Sequence, residues 1–149
     1  MPAAITIRPL ADSDAPVVAA LSGDLGYPAD QAAMEIRLAT VLADPGHTVF
    51  GAEAEDGSLL GWVHVCSRLL LIDPPSTLVE GLVVGPDARR QGVGRALMAA
   101  AEDWSCSRGA LTIRLRTGAT REDTHAFYRA LGYSPGKLAL GFEKALDGG

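Results

Sequence analysis

The chain is poor in the features that would fix it in a membrane, cross-link it or draw it to nucleic acid. No run of about 18 or more apolar residues is present to span a bilayer. The opening Met1-Pro2-Ala3-Ala4-Ile5-Thr6-Ile7-Arg8 lacks the charged segment and apolar core of an export signal, so a soluble cytoplasmic protein with no membrane partner is expected. There are only two cysteines, Cys66 and Cys106, forty residues apart and without His or Cys neighbours at metal-ligand spacing. Buried free thiols and no metal site are expected. Lys and Arg number 13 against 18 Asp and Glu, and the net charge of −5 argues against nucleic acid as a partner. That balance mildly favours a cationic acceptor, although most acidic surfaces are only solvated faces. Internal repeats and low-complexity segments are absent as well.

What is present is enough apolar residue for one core: 149 residues, 48% of them hydrophobic, fit a single domain over 1–149. Ile5-Thr6-Ile7 alternates as a short strand. Asp12-Ser13-Asp14 supplies capping residues before Val17, Val18, Leu21 and Leu25 at helical spacing. After Gly26-Tyr27-Pro28, a second helical stripe of Met34, Leu38, Val41 and Leu42 runs until Asp44-Pro45-Gly46 stops it. Strand patterns follow at His47 to Ala54, Leu59 to Leu71 and Thr77 to Val84. Glu55-Asp56-Gly57 and Asp73-Pro74-Pro75 separate them with the turn chemistry of an antiparallel meander. Gly92 to Ser107 is helical again, with Val93, Ala96, Leu97, Ala100, Ala101 and Trp104 on one face. Gly109 ends it, and Leu111 to Leu115 alternates as a strand. Strand, helix and strand in that order predict a crossover and one parallel pair. Thr120 can cap a last helix through Leu131, Gly132 suits its stop, and Leu138, Leu140 and Phe142 mark a final strand. The fold class is therefore mixed α/β (α+β): a mostly antiparallel sheet of six to seven strands with one parallel pair, flanked by four helices.

Between Val84 and the third helix, Pro86-Asp87 and Arg89-Arg90-Gln91-Gly92-Val93-Gly94-Arg95 have the ingredients of an anion site. Glycine lets a ligand approach the backbone closely, and first-turn helix N–H groups lack internal partners. The helix end carries roughly +0.5 of an elementary charge, which suits a phosphate or pyrophosphate. The competing reading is that Gly92 and Gly94 only allow helix to pack on sheet. A dinucleotide fold needs a further glycine where Leu97 stands, and an acid near Thr112-Ile113-Arg114-Leu115-Arg116, where there is none. The Gly-Lys-Ser or Gly-Lys-Thr of a nucleoside triphosphate loop is absent too. Gly81, inside an apolar strand, marks either a bulge that opens a cleft or a close-packing position.

Arg89-x-x-Gly92-x-Gly94 after the strand Leu82-Val83-Val84 resembles the Gln/Arg-x-x-Gly-x-Gly/Ala signature of the GNAT superfamily of N-acetyltransferases. The order of elements is similar to the GNAT order over nearly the whole chain. His125-Ala126-Phe127-Tyr128-Arg129-Ala130-Leu131-Gly132-Tyr133 is similar to the family's segment ending in Phe-Tyr and a later Gly-Phe/Tyr. Leu25-Gly26-Tyr27-Pro28 and Gly61-Trp62-Val63-His64 look like small bacterial members labelled aminoglycoside acetyltransferase-like. The resemblance implies acetyl-CoA as cosubstrate, with Leu82, Val83 and Val84 pairing with the pantetheine arm. It also implies that Arg89, Arg90, Gln91, Gly92, Val93, Gly94 and Arg95 form the pyrophosphate-binding segment. Many members dimerise, so a homodimer is an expectation of the resemblance alone. Where members often carry Asn near the end of the strand before the last helix, this chain has Thr117-Gly118, which puts that cofactor contact in doubt.

Acetyl transfer needs an uncharged amine, a stabilised oxyanion and a leaving thiolate. An alkylamine similar to lysine, with a pKa of about 10.4, must first lose a proton. Glu80 is the nearest candidate base, at a position where several members carry an acid that acts through water; a structural strand residue is the competing reading. Tyr128 matches the tyrosine that donates a proton to the departing sulfur in many members, against packing on an amphipathic helix. Trp62, His64 and Cys66 share a strand face and either line an acceptor pocket or pack in the core. His47 reads as a loop or strand-start residue, and His125 as a helix-surface neighbour of Tyr128. The expected function is acetyl transfer to a primary amine of a small molecule or peptide. The alternative is a catalytically silent acyl-CoA-binding regulatory module.

Overall fold

The computed structural model describes residues 4–24, 26, 30–117 and 122–147. They fall into two compact units, Met1–Arg116 and Thr117–Gly149, each taken by itself. The expected Thr120 cap and most of the Leu25-Gly26-Tyr27-Pro28 junction lie outside the described residues.

The first unit runs β1 (Ile5–Pro9), α1 (Ala15–Asp24), α2 (Gln31–Ala43), β2 (His47–Ala54), β3 (Leu59–Arg68), β4 (Ser76–Val84), α3 (Val93–Ser107) and β5 (Thr112–Leu115). Its sheet has the order β1-β2-β3-β4-β5; the first four strands are antiparallel neighbours, and β5 lies parallel to β4. The meander is as the turn chemistry predicts, and the single parallel pair is as the strand–helix–strand order predicts. No helix among the described residues is long and apolar enough to cross a membrane.

The α2 helix begins at Asp30, whose carboxylate accepts the Ala33 N–H at 2.6 Å. Its Leu38 joins Leu10, Ala15, Val18 and Val49 in a buried cluster, with Met34, Val41, Leu42 and Trp62 packed against it. On α1 the buried stripe is Ala15, Val18, Ala19 and Ser22, while Val17 is 41% exposed. Val18, not Val17, turns inward, among small residues that bring this helix close to its neighbours.

The α3 helix buries Val93, Leu97, Met98, Ala101 and Ser105. Ser105 hydrogen-bonds Thr77 of β4 at 2.6 Å and donates to the Ala101 carbonyl at 2.7 Å, so the two fully buried hydroxyls satisfy one another. At its C-terminus, Gly109 adopts φ 79°, its N–H reaches the Cys106 carbonyl, and the Ala110 N–H reaches the Ser105 carbonyl. These two bonds form the Schellman stop that the glycine predicts.

The second unit contains α4 (Glu122–Ala130), closed by the same motif through the Gly132 and Tyr133 N–H groups. Beyond it no strand forms among the described residues, and Leu138, Leu140 and Phe142 stand 92%, 85% and 93% exposed. The described sheet thus has five strands, not six to seven, with four α-helices.

Candidate active site

The β4 strand changes character at Glu80. Against β3, His64 pairs with Gly81 and Val65 with Val79, so Glu80 is an extra residue with no partner: a bulge. The bulge expected from Gly81 is there, and the unpaired residue is its acidic neighbour. A Cβ on Gly81 would stand 3.1 and 3.2 Å from the Trp62 ring atoms Cζ3 and Cη2, so the glycine also admits that ring. Packing and bulge readings both hold.

On its other side β4 pairs with β5 only from Ser76 to Val79. From Glu80 to Val84 no described strand covers that edge. The Gly85 N–H donates to the Leu60 carbonyl of β3 at 2.8 Å, which fixes the alternation. Val83 then faces β3, and the backbone groups of Leu82 and Val84 face the open edge. Such an edge can take an extended chain that carries amides.

The strand leads through a 3-10 turn, Pro86–Ala88, into a loop held by the Gln91 side chain, which donates to the Asp87 carbonyl at 3.0 Å. Arg90 has φ 63° and Gly92 has φ 80°. Arg90 is the one non-glycine residue with positive φ among those described, a conformation disfavoured for any L side chain. Gly92 caps α3 without a side chain, and the first bond of the helix is Ala96 N–H to the Gly92 carbonyl at 3.0 Å. The N–H groups of Val93, Gly94 and Arg95 therefore have no partner within the helix, and no acid sits in its first turn to compete for them. A Cβ at Gly92 would meet nothing within 4 Å, so the space over this helix end is open. Arg89, Arg90 and Arg95 are exposed around it. The arrangement fits a phosphate or pyrophosphate.

Glu80 is exposed, and its Oε1 accepts from the Cys66 thiol at 3.8 Å. Burial, and then Glu80, push that thiol above its ordinary value. One residue along the same face, His64 meets His47 of β2 through Nε2 and Nδ1 at 2.9 Å. Burial holds the His64 imidazolium below its ordinary pKa, His47 adds to the effect, and Glu80 opposes it. Trp62 packs into the core, and its Nε1 is buried with no hydrogen-bond partner. Trp62, His64 and Cys66 thus combine core packing with a polar edge beside Glu80. The contact between His47 and His64 was not legible from spacing, because 17 residues separate the rings and only the β2–β3 register brings them together.

In the second unit Tyr128 is half-buried on α4, edge-on to Phe127 and Tyr133 at centroid distances of 5.0 and 5.8 Å. Burial pushes its hydroxyl above the ordinary tyrosine value. Among the described residues that hydroxyl has no hydrogen-bond partner. The first unit gathers Glu80, Leu82, Val83, Val84 and the segment from Arg89 to Arg95 on one strand, loop and helix; Tyr128 belongs to the other unit. Thr117 is exposed. Among the described residues no group of three or more His, Cys, Asp or Glu is arranged to hold a metal ion.

An open strand edge that begins at a bulged carboxylate and runs into an uncapped helix N-terminus fits the class of transferases that draw an acyl group from coenzyme A. The comparisons with known proteins agree. The Acetyltransferase (GNAT) family model matches residues 15–133. An aminoglycoside N(6')-acetyltransferase type 1 of Stenotrophomonas maltophilia is 32% identical over 146 residues, 95% of this chain and 94% of its own. The enzyme of the same name from Serratia marcescens is 29% identical over 81% of this chain and 84% of its own. The solved aminoglycoside N-acetyltransferase AAC(6')-Iy, in complex with CoA, superimposes with a TM-score of 0.85 at 20% identity, over 97% of each chain. The chain belongs to the GNAT family of acetyltransferases and is an acyltransferase that moves an acetyl group from acetyl-CoA to an amine.

Proposed function

We propose that the acceptor is a primary amine of a small cationic molecule of the aminoglycoside kind, and that Glu80 is the base that frees it. The observation that carries the reading is the bulge, which puts an exposed carboxylate beside the open edge of β4. The names of the two curated relatives support the acceptor class. So does the net charge of −5. A peptide amine is the second acceptor to test. Acetyl-CoA, when bound, supplies the thioester. Leu82 and Val84 would bond its amide-bearing arm through their outward backbone groups, with Val83 between them holding the strand to β3. The N–H groups of the loop and first turn, from Arg90 to Arg95, would hold the pyrophosphate, with Arg89 beside them. An ammonium acceptor carries one proton too many for attack, and Glu80, directly or through a water, would take it. As nitrogen bonds to the acetyl carbon and the carbon–sulfur bond breaks, the second amine proton would pass to the departing sulfur, which would leave as the thiol of coenzyme A. Tyr128 would donate a hydrogen bond to the departing sulfur.

The family match, continuous from residue 15 to residue 133, supports one acetyltransferase domain over 1–149. The alternation of Leu138, Leu140 and Phe142, exposed as it is, supports a further strand there. The exposed apolar run Leu69, Leu70, Leu71 and Ile72 supports a homodimer, which sedimentation would detect. We place the protein in the cytoplasm, where acetyl-CoA is at hand. A silent acyl-CoA-binding module is not favoured, because the relatives are named as enzymes.

The test has two stages: thermal shift with acetyl-CoA and CoA, then thiol release over aminoglycosides, polyamines, amino acids and peptides. A shift with both and release with an aminoglycoside are expected. Release with peptides alone would overturn the acceptor assignment, and Glu80→Gln with wild-type turnover would overturn the base.

A further inference from the structure

The sheet face beside Glu80 carries a group that the reaction as described does not use. His47, the first residue of β2, and His64 of β3 meet at 2.9 Å, with ring centroids 5.1 Å apart. At that distance one ring must donate an N–H to a bare nitrogen of the other. A neutral pair meets this condition, and so does a pair with one added proton. A second added proton would set N–H against N–H, so the two rings take up one proton between them. The outer ring has an acid at its far side: His47 Nε2 stands 3.9 Å from Asp44 Oδ2. The inner ring has another, because His64 pairs in register with Gly81, the neighbour of the bulged Glu80. The charged groups that bear on His64 are His47 from β2 and Glu80 from β4. Cys66, Glu80's thiol partner, also feels Arg68 of β3.

We propose that His47 and His64 act on acetyl transfer through Glu80, as one positioning unit that must be neutral for the reaction and that stops it by taking up a single proton. The inference rests on the reading of Glu80 as the base. Neutral, the pair leaves the carboxylate as the dominant charge at the bulge, which attracts the ammonium acceptor and accepts its proton. Singly protonated, it sets a cation beside Glu80. That cation stabilises the carboxylate against protonation, and so weakens the base, while it repels the cationic acceptor. Acid therefore lowers kcat/KM through the histidines. No covalent step is added, and the proton taken up comes from and returns to solvent.

The test is the dependence of kcat/KM on pH from 5 to 8 for the wild type, His64→Gln and His47→Gln, each normalised to its own rate at pH 8. His64→Gln, which removes the ring beside Glu80, should keep about 3- to 10-fold more of that rate at pH 5 than the wild type does. His47→Gln leaves His64 to take up the proton alone and should move the acid limb without removing it. A structural role would lower the whole profile without changing its shape, and superimposable normalised profiles would overturn the proposal. Titration of the wild-type imidazole resonances by NMR needs neither a variant nor turnover. The His47 and His64 signals should move together with uptake of one proton, and two independent titrations near the ordinary value would overturn the pairing. Glu80→Gln in the same assay separates the failures. Wild-type turnover in that variant removes the base, whereas the coupled titration is unaffected by which residue is the base.

Discussion

Replacing Gly92 with alanine separates what the backbone needs at this position from what a ligand needs. The residue has φ 80°, and a Cβ built there would meet nothing within 4 Å. Steric exclusion by the protein is therefore absent, and the folded chain bears only the cost of a left-handed alanine, about 1–2 kcal/mol. For a chain of about this size each kcal/mol moves Tm by roughly 2–4 °C, so Gly92→Ala should melt about 2–8 °C below the wild type. Asparagine tolerates the left-handed region, so Gly92→Asn should recover much of that loss.

Ligand affinity should behave differently, because either side chain would occupy open space at the helix end assigned to the pyrophosphate. Losing one hydrogen bond to a charged acceptor costs about 1.5–3 kcal/mol, which weakens CoA binding by roughly 10- to 100-fold. Thermal shift and calorimetry with CoA measure both quantities on the same samples. Acetylpantetheine, which lacks the pyrophosphate, is the control donor: kcat/KM with it should be equal in the wild type and Gly92→Asn. A Gly92→Ala protein that binds CoA with wild-type affinity would refute the assignment of this helix end to the pyrophosphate, whatever its Tm.

Tyr128→Phe should lower kcat by about 10²- to 10⁴-fold and leave CoA affinity nearly unchanged. Burial already holds this hydroxyl protonated above its ordinary value, so no limb of the pH profile below about 10 should disappear with it. Near-normal turnover would refute its role. Ser105→Ala leaves the fully buried Thr77 hydroxyl without its partner and should cost about 1–3 kcal/mol in urea unfolding. Ser105→Ala with Thr77→Val should cost less than Ser105→Ala alone, because nothing is then left unpaired; a larger loss in the double variant would count against mutual satisfaction. The folded-state pKa of His64 lies below the unfolded value of about 6.5, so as pH falls the unfolded chain takes up the proton first. Its stabilising contribution is complete above that value and is lost as pH falls through the folded one. Melts between pH 7.5 and 5 should show a shallower decline in His64→Gln, and parallel curves would contradict the shift.

The parts of the molecule that were legible in the sequence are those whose physics is local. Gly92 and Gly94 in front of a helical stripe announce an uncapped N-terminus because glycine conformation and orphan N–H groups belong to a few consecutive residues. Gly109 and Gly132 announce helix stops for the same reason. Where a partner decides, the pattern misled or fell silent. Val17 and Val18 both belong to the expected stripe, yet only Val18 is buried, since which face of α1 turns inward depends on what it packs against. Leu138, Leu140 and Phe142 alternate without forming a strand among the described residues. His47 read as a strand start, and it is one; its bond to His64 depends on the β2–β3 register.

Glu80 joins the two kinds of information. Glycine in an apolar strand pointed to a bulge at Gly81, and the search for a base pointed separately to Glu80, but nothing in the sequence says that these are one feature. In the structure the residue left over by the bulge is the carboxylate. Pairing with β5 ends one residue earlier, at Val79. A single insertion in the register therefore releases the strand edge, turns an acid out of the ladder and sets it beside the His47–His64 pair. Deleting Glu80 would test that coupling more severely than replacing it. Glu80→Gln removes the charge and keeps the bulge, so CoA affinity should survive while turnover falls. Deletion should restore the ladder by making Val79 and Gly81 consecutive opposite Val65 and His64, so Leu82, Val83 and Val84 keep their β3 partners while the bend of the bulge is lost. CoA affinity should therefore fall below that of Glu80→Gln, and a deletion variant that still binds CoA as Glu80→Gln does would separate the open edge from the bulge.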